Sequence, residues 1–314
     1  MALELSFKTD LGFTNLSKAA GWITTELYWK YGMDSQFTFY TGNAGKKSVD
    51  AVVNRQVDLA FITPLALAEM AVKGKGMFDK AHDELRALAV FPHFDQHVLA
   101  VRKNSGFHSY EDVFKPARPI SIITATRDED NLMGAAFDQL LALFGSDFET
   151  WQKDGGQFIC FDSPFLALTE MAKGKADALF FEAFMVPLWW NLTEKVDLTF
   201  LSLPEKCKIG LQEWGARVVT LHPDGKKGFD QPIVTLDWSG WVLLSRSDLP
   251  DHVAESISEI IVTKHLDFVA EYAHIPPSRS ALRYPILPSD FVKTGDVPLH
   301  FAARTVYEQY GLFN

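Results

Sequence analysis

Val57-Asp58-Leu59-Ala60-Phe61-Ile62-Thr63-Pro64 and Ala176-Asp177-Ala178-Leu179-Phe180-Phe181-Glu182-Ala183 share one pattern. Each follows an amphipathic helix. Each then gives a small residue, an aspartate, a short buried strand and a polar residue where the strand ends. A strand of four apolar residues bounded by such turns belongs to a parallel sheet covered on both faces. Helix-to-strand turns with Gly or Asp are common in themselves. The pair is therefore read with its surroundings, as a weak internal repeat and a sign of two α/β domains of similar build.

Working outward, the first copy lies in an alternation of strand and helix. Leu3 to Thr9 predicts a strand with Leu3, Leu5 and Phe7 on one face. Asn15 to Tyr31 predicts an amphipathic helix through Leu16, Ala19, Ala20, Ile23 and Leu27. Phe37 to Tyr40 is a short strand, Ser48 to Asn54 a helix, Leu59 to Ile62 a strand and Pro64 to Lys73 a helix. The pattern restarts in the second copy. Ile120 to Ile123, Phe158 to Phe161 and Ala178 to Phe181 are strands, separated by helices over Asn131 to Phe144 and Pro164 to Lys173. This β-α order implies parallel sheets flanked by helices. His97 to Arg102 and Trp241 to Ser245 are strand-like crossings between the halves, and a long helix, Pro250 to Ala270, follows the second. The expected division is residues 1–97 plus 239–314 as a discontinuous lobe 1 and 98–238 as lobe 2, with the proline-rich tail wrapping back onto lobe 1. A length of 314 residues suits two domains at roughly 150 residues each.

Composition excludes several functions. Thirty Lys and Arg against 40 Asp and Glu give a net charge of −10, which argues against a nucleic-acid partner or an anionic lipid surface. Cys160 and Cys207 stand alone with no Cys/His cluster, so both are expected unpaired, and neither a metal nor a cofactor is expected. His93 and His97 have a ligand-like spacing, but in a strand such residues sit ~13 Å apart; they read as structural or hinge histidines. No Walker loop, dinucleotide fingerprint, nucleophile elbow or H-E-x-x-H occurs. No apolar run nears the ~18 residues of a membrane span. The N-terminus lacks the basic start and apolar run of a secretory leader. The expectation is a cytoplasmic chain, or a periplasmic one whose leader has been replaced.

Ligands of open α/β sheets bind at the C-terminal strand ends. Here those loops are Asp10 to Thr14, Tyr40 to Lys47, Thr63-Pro64, Thr124 to Asp128 and Glu182 to Phe184. The candidate ligand-binding residues are Gly12, Phe13, Tyr40, Gly42, Asn43, Ala44, Thr63, Arg127, Asn131, Glu182, Phe184 and Trp238. Arg127 would offer a guanidinium fork to a carboxylate, while Glu182 would meet an ammonium or hydroxyl group. Trp22, Trp29, Trp151 and Trp214 are assigned to core packing.

The whole chain resembles the TAXI-type solute receptors of TRAP transporters, related to the NMT1-like group. The resemblance runs through Thr41-Gly42-Asn43-Ala44-Gly45 and the V-D-L-A-F-I-T-P stretch. It continues in Phe91-Pro92-His93, His97 to Arg102, Ser109 to Val113 and Trp241 to Pro250. Val297-Pro298-Leu299-His300, with Tyr307 and Gly311, completes it. It implies a two-lobed periplasmic-binding-protein fold of type II, with a two-strand hinge. It also implies a small organic ligand, carboxylate or aromatic, in an interlobe cleft, and membrane permease subunits as partners. The ligand loops depart from the family's pattern. Thr9 to Phe13 replaces a glycine-rich turn, Lys47 stands near the usual asparagine, and Thr124 to Asp130 replaces a Gly/Ser-rich loop. The alternative is a cytoplasmic enzyme on the same fold, a decarboxylase or other lyase acting on a small organic acid, with Glu182 as the candidate catalytic group.

Overall fold

In the computed structural model, which describes residues 2–10, 15–277 and 280–313, the chain divides into two units. Unit 1 is Met1–Phe94 with Ser239–Asn314, and unit 2 is Asp95–Trp238. Unit 1 begins with β1 (Glu4–Thr9), α1 (Asn15–Tyr31), β2 (Gln36–Thr41), α2 (Lys46–Val53), β3 (Leu59–Ile62), α3 (Leu65–Lys73) and β4 (Leu85–Phe91). Unit 2 opens with β5 (Gln96–Arg102), α4 (Tyr110–Phe114), β6 (Ile120–Thr124), α5 (Leu132–Leu143), α6 (Phe148–Lys153) and β7 (Gly156–Cys160). It continues through α7 (Pro164–Ala172), β8 (Ala178–Phe181), α8 (Pro187–Lys195), β9 (Leu198–Leu201), α9 (Glu205–Trp214), β10 (Val218–Leu221) and β11 (Ile233–Asp237). Unit 1 then resumes with β12 (Trp241–Arg246), α10 (Asp251–Ala270) and α11 (Phe301–Gln309).

The sequence repeat is a structural one. In unit 1 the sheet order is β2-β1-β3-β12-β4, and in unit 2 the path is β10-β11-β5-β8-β6-β7, with β9 also on β5. β1 lies parallel between β2 and β3, β6 lies parallel between β7 and β8, and Phe7↔Leu59 in one register matches Ile122↔Ala178 in the other. The aspartate of the repeat holds that register. Asp58 Oδ2 accepts from the Ser6 N–H at 2.8 Å and the Ser6 hydroxyl at 2.7 Å. Asp177 Oδ2 takes the Ser121 N–H and hydroxyl at the same distances. Each serine oxygen in turn accepts the aspartate's own N–H, at 3.0 and 3.1 Å. A short side chain that satisfies backbone donors just before a strand fixes where that strand starts.

The crossings are duplicated as well. β12 runs antiparallel on β3 with Val242↔Ile62, and β5 runs antiparallel on β8 with Val98↔Phe181. Counting from those pairs, Glu182 and Asp95 of unit 2 hold the places that Thr63 and Ser239 hold in unit 1.

Packing explains the tail. Ala87 N–H donates to Pro298 O, His300 N–H to Ala87 O, and the Tyr307 hydroxyl to Leu88 O at 2.7 Å, so the tail lies along β4. His300 Nδ1 accepts the Ala302 N–H that opens α11, which leaves its Nε2–H to donate to Leu249 O at 3.0 Å. The core of unit 1 centres on Phe91, whose ring meets Phe61, Phe268 and Phe291 edge-on at 5.2–5.4 Å.

Trp29 corrects the expectation of a core residue: it is 79% exposed. The buried stripe of α1 runs through Leu16, Ala19, Ile23 and Leu27, and at 100° per residue Trp29 falls on the opposite face. Trp22 and Trp151 are buried as expected. Cys160 and Cys207 are both free, the first exposed and the second buried. Among the described residues no helix is long and apolar enough to cross a membrane.

Candidate functional site

The richest chemistry lies where β8 ends and β5 begins, within unit 2. β8 is a fully buried Ala-Leu-Phe-Phe strand, and the chain must turn at Glu182. The turn is made by Ala183 in the left-handed region, φ +62°. A residue with a Cβ resists that conformation by ~1–2 kcal/mol, so something must hold it. Asp95 does. Its Oδ2 accepts the Ala183 N–H at 3.0 Å, and its Oδ1 accepts the Phe184 N–H at 2.9 Å and the Gln96 N–H at 2.7 Å. Successive N–H groups aimed at one point make an anion receptor, and here the anion is built in.

Alternation along the strands brings Asp95 and His97 to one sheet face, and Phe180 and Glu182 likewise. Ring contacts agree. The His97 ring meets Phe180 edge-on at 3.9 Å and lies 5.1 Å from Trp238 at 31°. Trp238 N–H donates to Asp95 O at 3.0 Å, and its side chain hydrogen-bonds the Glu182 carboxyl, favouring the charged form.

Titration follows from this packing. Burial raises Asp95 well above the usual carboxylate range, neighbouring Glu182 raises it further, and the three backbone N–H groups pull it back. Burial pushes Glu182 up to about 7. Those three donors oppose the shift at Asp95 and favour its charged form. Unlike Asp95, which is 4% exposed, Glu182 is only half-buried and keeps an opening to solvent. Burial lowers His97 to about 3, leaving it neutral at physiological pH. No described residue reaches either ring nitrogen of His97 or the side-chain amide of Gln96. Among the described residues no group of three or more His, Cys, Asp or Glu is placed to hold a metal.

The candidates from sequence fall into several groups. Glu182 and Trp238 come together. In unit 1, Tyr40 is exposed at the end of β2, and Ala44 O accepts the Thr63 N–H at 3.2 Å. Gly42 N–H donates to Thr9 O at 3.1 Å, and Asn43 O accepts the Ser48 hydroxyl at 2.8 Å. These residues therefore gather at that unit's strand ends. Gly12 and Phe13 lie outside the described residues.

Arg127, Asn131 and Phe184 have structural engagements. Arg127 forks onto Asp138 at 2.7 and 2.8 Å, with its guanidinium 3.7 Å from the centre of the Phe148 ring. Gly134 explains why: a Cβ there would stand 2.5 Å from Thr126 O, so the loop lies directly on α5, one turn from Asp138. Asn131 caps α5 by accepting the Met133 N–H at 3.0 Å. The Phe184 ring is buried against Trp189, Phe200 and Phe229, with Lys226 Nζ 4.2 Å above it. Only its backbone N–H serves the carboxylate pair.

Sequence reasoning missed Asp95, Gln96 and His97 as site residues. The available signal was a polar Asp-Gln-His run placed directly before the apolar Val98 to Val101.

No family model matches the chain, and no curated protein does. Among solved structures, XAC2383 from Xanthomonas citri bound to ATP aligns with a TM-score of 0.51 at 10% identity, covering 98% of this chain and 99% of that one. The same protein bound to chloride ion gives 0.49 at 12% identity, over 98% and 97%. A structure of a periplasmic transporter gives 0.46 at 11% identity, over 98% and 94%. The fold shared with XAC2383 is a mixed α/β one with two sheets. At such identities the likeness carries the α/β architecture, two sheets flanked by helices, and no residue assignment.

Proposed function

We propose that this chain is a solute-binding protein, a TAXI-type receptor that takes one small organic molecule in the periplasm for the membrane subunits of a TRAP-type transporter. The observation that carries the reading is the turn at Glu182-Ala183-Phe184. A left-handed alanine, a buried carboxylate holding it and a half-open second carboxylate meet at a C-terminal strand end. Strained backbone and buried polar groups concentrated at that edge mark a ligand site. Open α/β sheets bind ligands at their C-terminal strand ends, which supports binding, and the motifs from Thr41 to His300 support the TAXI assignment. The test is to denature the purified chain, identify released small molecules by mass spectrometry, and titrate them back. Binding with a raised melting temperature and no chemical change is the expected result. Absence of any ligand across released compounds and a solute panel would sink the reading.

A second reading has one observation behind it. A carboxyl pushed up to about 7 is poised for general acid–base work near neutral pH. An enzyme on this fold, a lyase or decarboxylase of a small organic acid, would convert the recovered compound. Turnover that disappears in Glu182→Gln while binding survives would favour it.

A further inference from the structure

We propose that the group a ligand presents to Glu182 is an organic cation bearing N–H donors, a protonated amine or amidine, and not a carboxylate. The assignment rests on reading this strand edge as the ligand site and names the ligand's chemistry there.

Four features of unit 2 converge. The N–H groups of Ala183 and Phe184, which would receive a ligand anion at an open strand end, are already taken by Asp95. The guanidinium of Arg127, the group best suited to a carboxylate, is forked onto Asp138 and stacked on Phe148. The carboxyl groups of Asp95 and Glu182 lie close enough to oppose each other's ionisation. An arriving anion would meet both, whereas a cation is attracted by both. Finally, His97 is fully buried, yet no described residue reaches its ring nitrogens. It shares the sheet face of Glu182 and packs on Trp238, whose side chain hydrogen-bonds Glu182. A neutral imidazole offers one lone pair and one N–H. A carboxylate oxygen, an imidazole lone pair and an indole face are all suited to an N–H-bearing cation.

The experiment is a thermal-shift and calorimetric panel on the full chain. It uses probes paired by skeleton and opposite in charge: putrescine against adipate, benzamidine against benzoate. It is combined with mass spectrometry of whatever the purified chain releases on denaturation. The expected result is stabilisation by the cationic members, or release of a cationic compound. Glu182→Gln should weaken binding of that compound about ten- to a hundredfold, the scale of one charge-assisted hydrogen bond. Trp238→Phe serves as a second variant should Glu182→Gln fail to fold, and should weaken the same compound more modestly. Lys30→Ala, in an exposed ion pair of unit 1, should change nothing. Binding of acids but not amines would overturn the cation assignment and leave the solute-binding reading standing. Cation binding unchanged in a folded Glu182→Gln would also overturn it. No compound of either sign, bound or released, would remove both.

Discussion

Replacing Asp95 by alanine should cost this protein more than any other single change at the strand ends of unit 2. Its two carboxylate oxygens accept three backbone N–H groups, those of Gln96, Ala183 and Phe184, at 2.7–3.0 Å. Gln96 and Phe184 are buried, and Ala183 is half-buried. A buried donor left without an acceptor costs about 1–3 kcal/mol, so two such donors and a fraction of a third amount to roughly 3–7 kcal/mol. Losing the like charge beside Glu182 returns part of that. The net expectation is a loss of about 3–5 kcal/mol. Asp95→Asn retains one carbonyl oxygen for two of the donors and should lose about half as much. Urea unfolding at pH 7, with the slope compared between variants, measures both. A loss below about 1 kcal/mol in Asp95→Ala, with an unchanged slope, would refute the view that this carboxylate holds the turn.

Ser6→Ala and Ser121→Ala remove the same pair of hydrogen bonds from the two copies of the repeat. Each should cost about 1–2 kcal/mol in chemical denaturation, and the two losses should agree to within about 0.5 kcal/mol. The raised pKa of Glu182 means that between about pH 4.5 and 7 the folded chain keeps a proton that the unfolded chain has released. Its contribution to stability is therefore full at low pH and falls by at most roughly 3 kcal/mol as the pH rises through 7. Half-buried His93 and buried His97 act the opposite way, losing stability as the pH falls below about 6.5. The Glu182 contribution is read as the difference between wild-type and Glu182→Gln unfolding curves across that window; a flat difference would contradict it. Arg127→Ala should lower stability by about 1 kcal/mol through lost pairing with Asp138 and stacking on Phe148, and leave ligand affinity unchanged in calorimetry.

The parts of the fold legible in sequence were those with sharp local punctuation. Asp58 and Asp177 each precede a run of four apolar residues, and the helices before them carry clear periodicity. β4 lacks such punctuation: Leu-Arg-Ala-Leu-Ala-Val-Phe is nearly continuous in apolar residues and reads equally as buried helix or central strand. β9, β10 and β11 are short, and their pairing with β5 and with one another is long-range. At the site, Glu182 was legible because it ends a buried strand with a charge. Asp95 was not, since its N–H partners at 183 and 184 stand 88 and 89 positions away. The engagement of Arg127 is hidden from the sequence for a similar reason. Its partner Asp138 lies on the next helix, and only the close approach of the loop at Gly134 brings them together.

The clasping aspartate stands five residues before Thr63 in one unit and before Glu182 in the other, and that separation matters for how such a protein is altered. Tethering is done at Asp58 and Asp177, while the variable chemistry stands at Thr63 and Glu182. Across the sheet the corresponding residues are Ser239 and Asp95. One template thus displays hydroxyls in one copy and carboxyls in the other. On the proposed solute-binding reading, position 182, half-open and remote from its tether, is where a redesigner should change specificity first, taking threonine at its counterpart as the starting substitution.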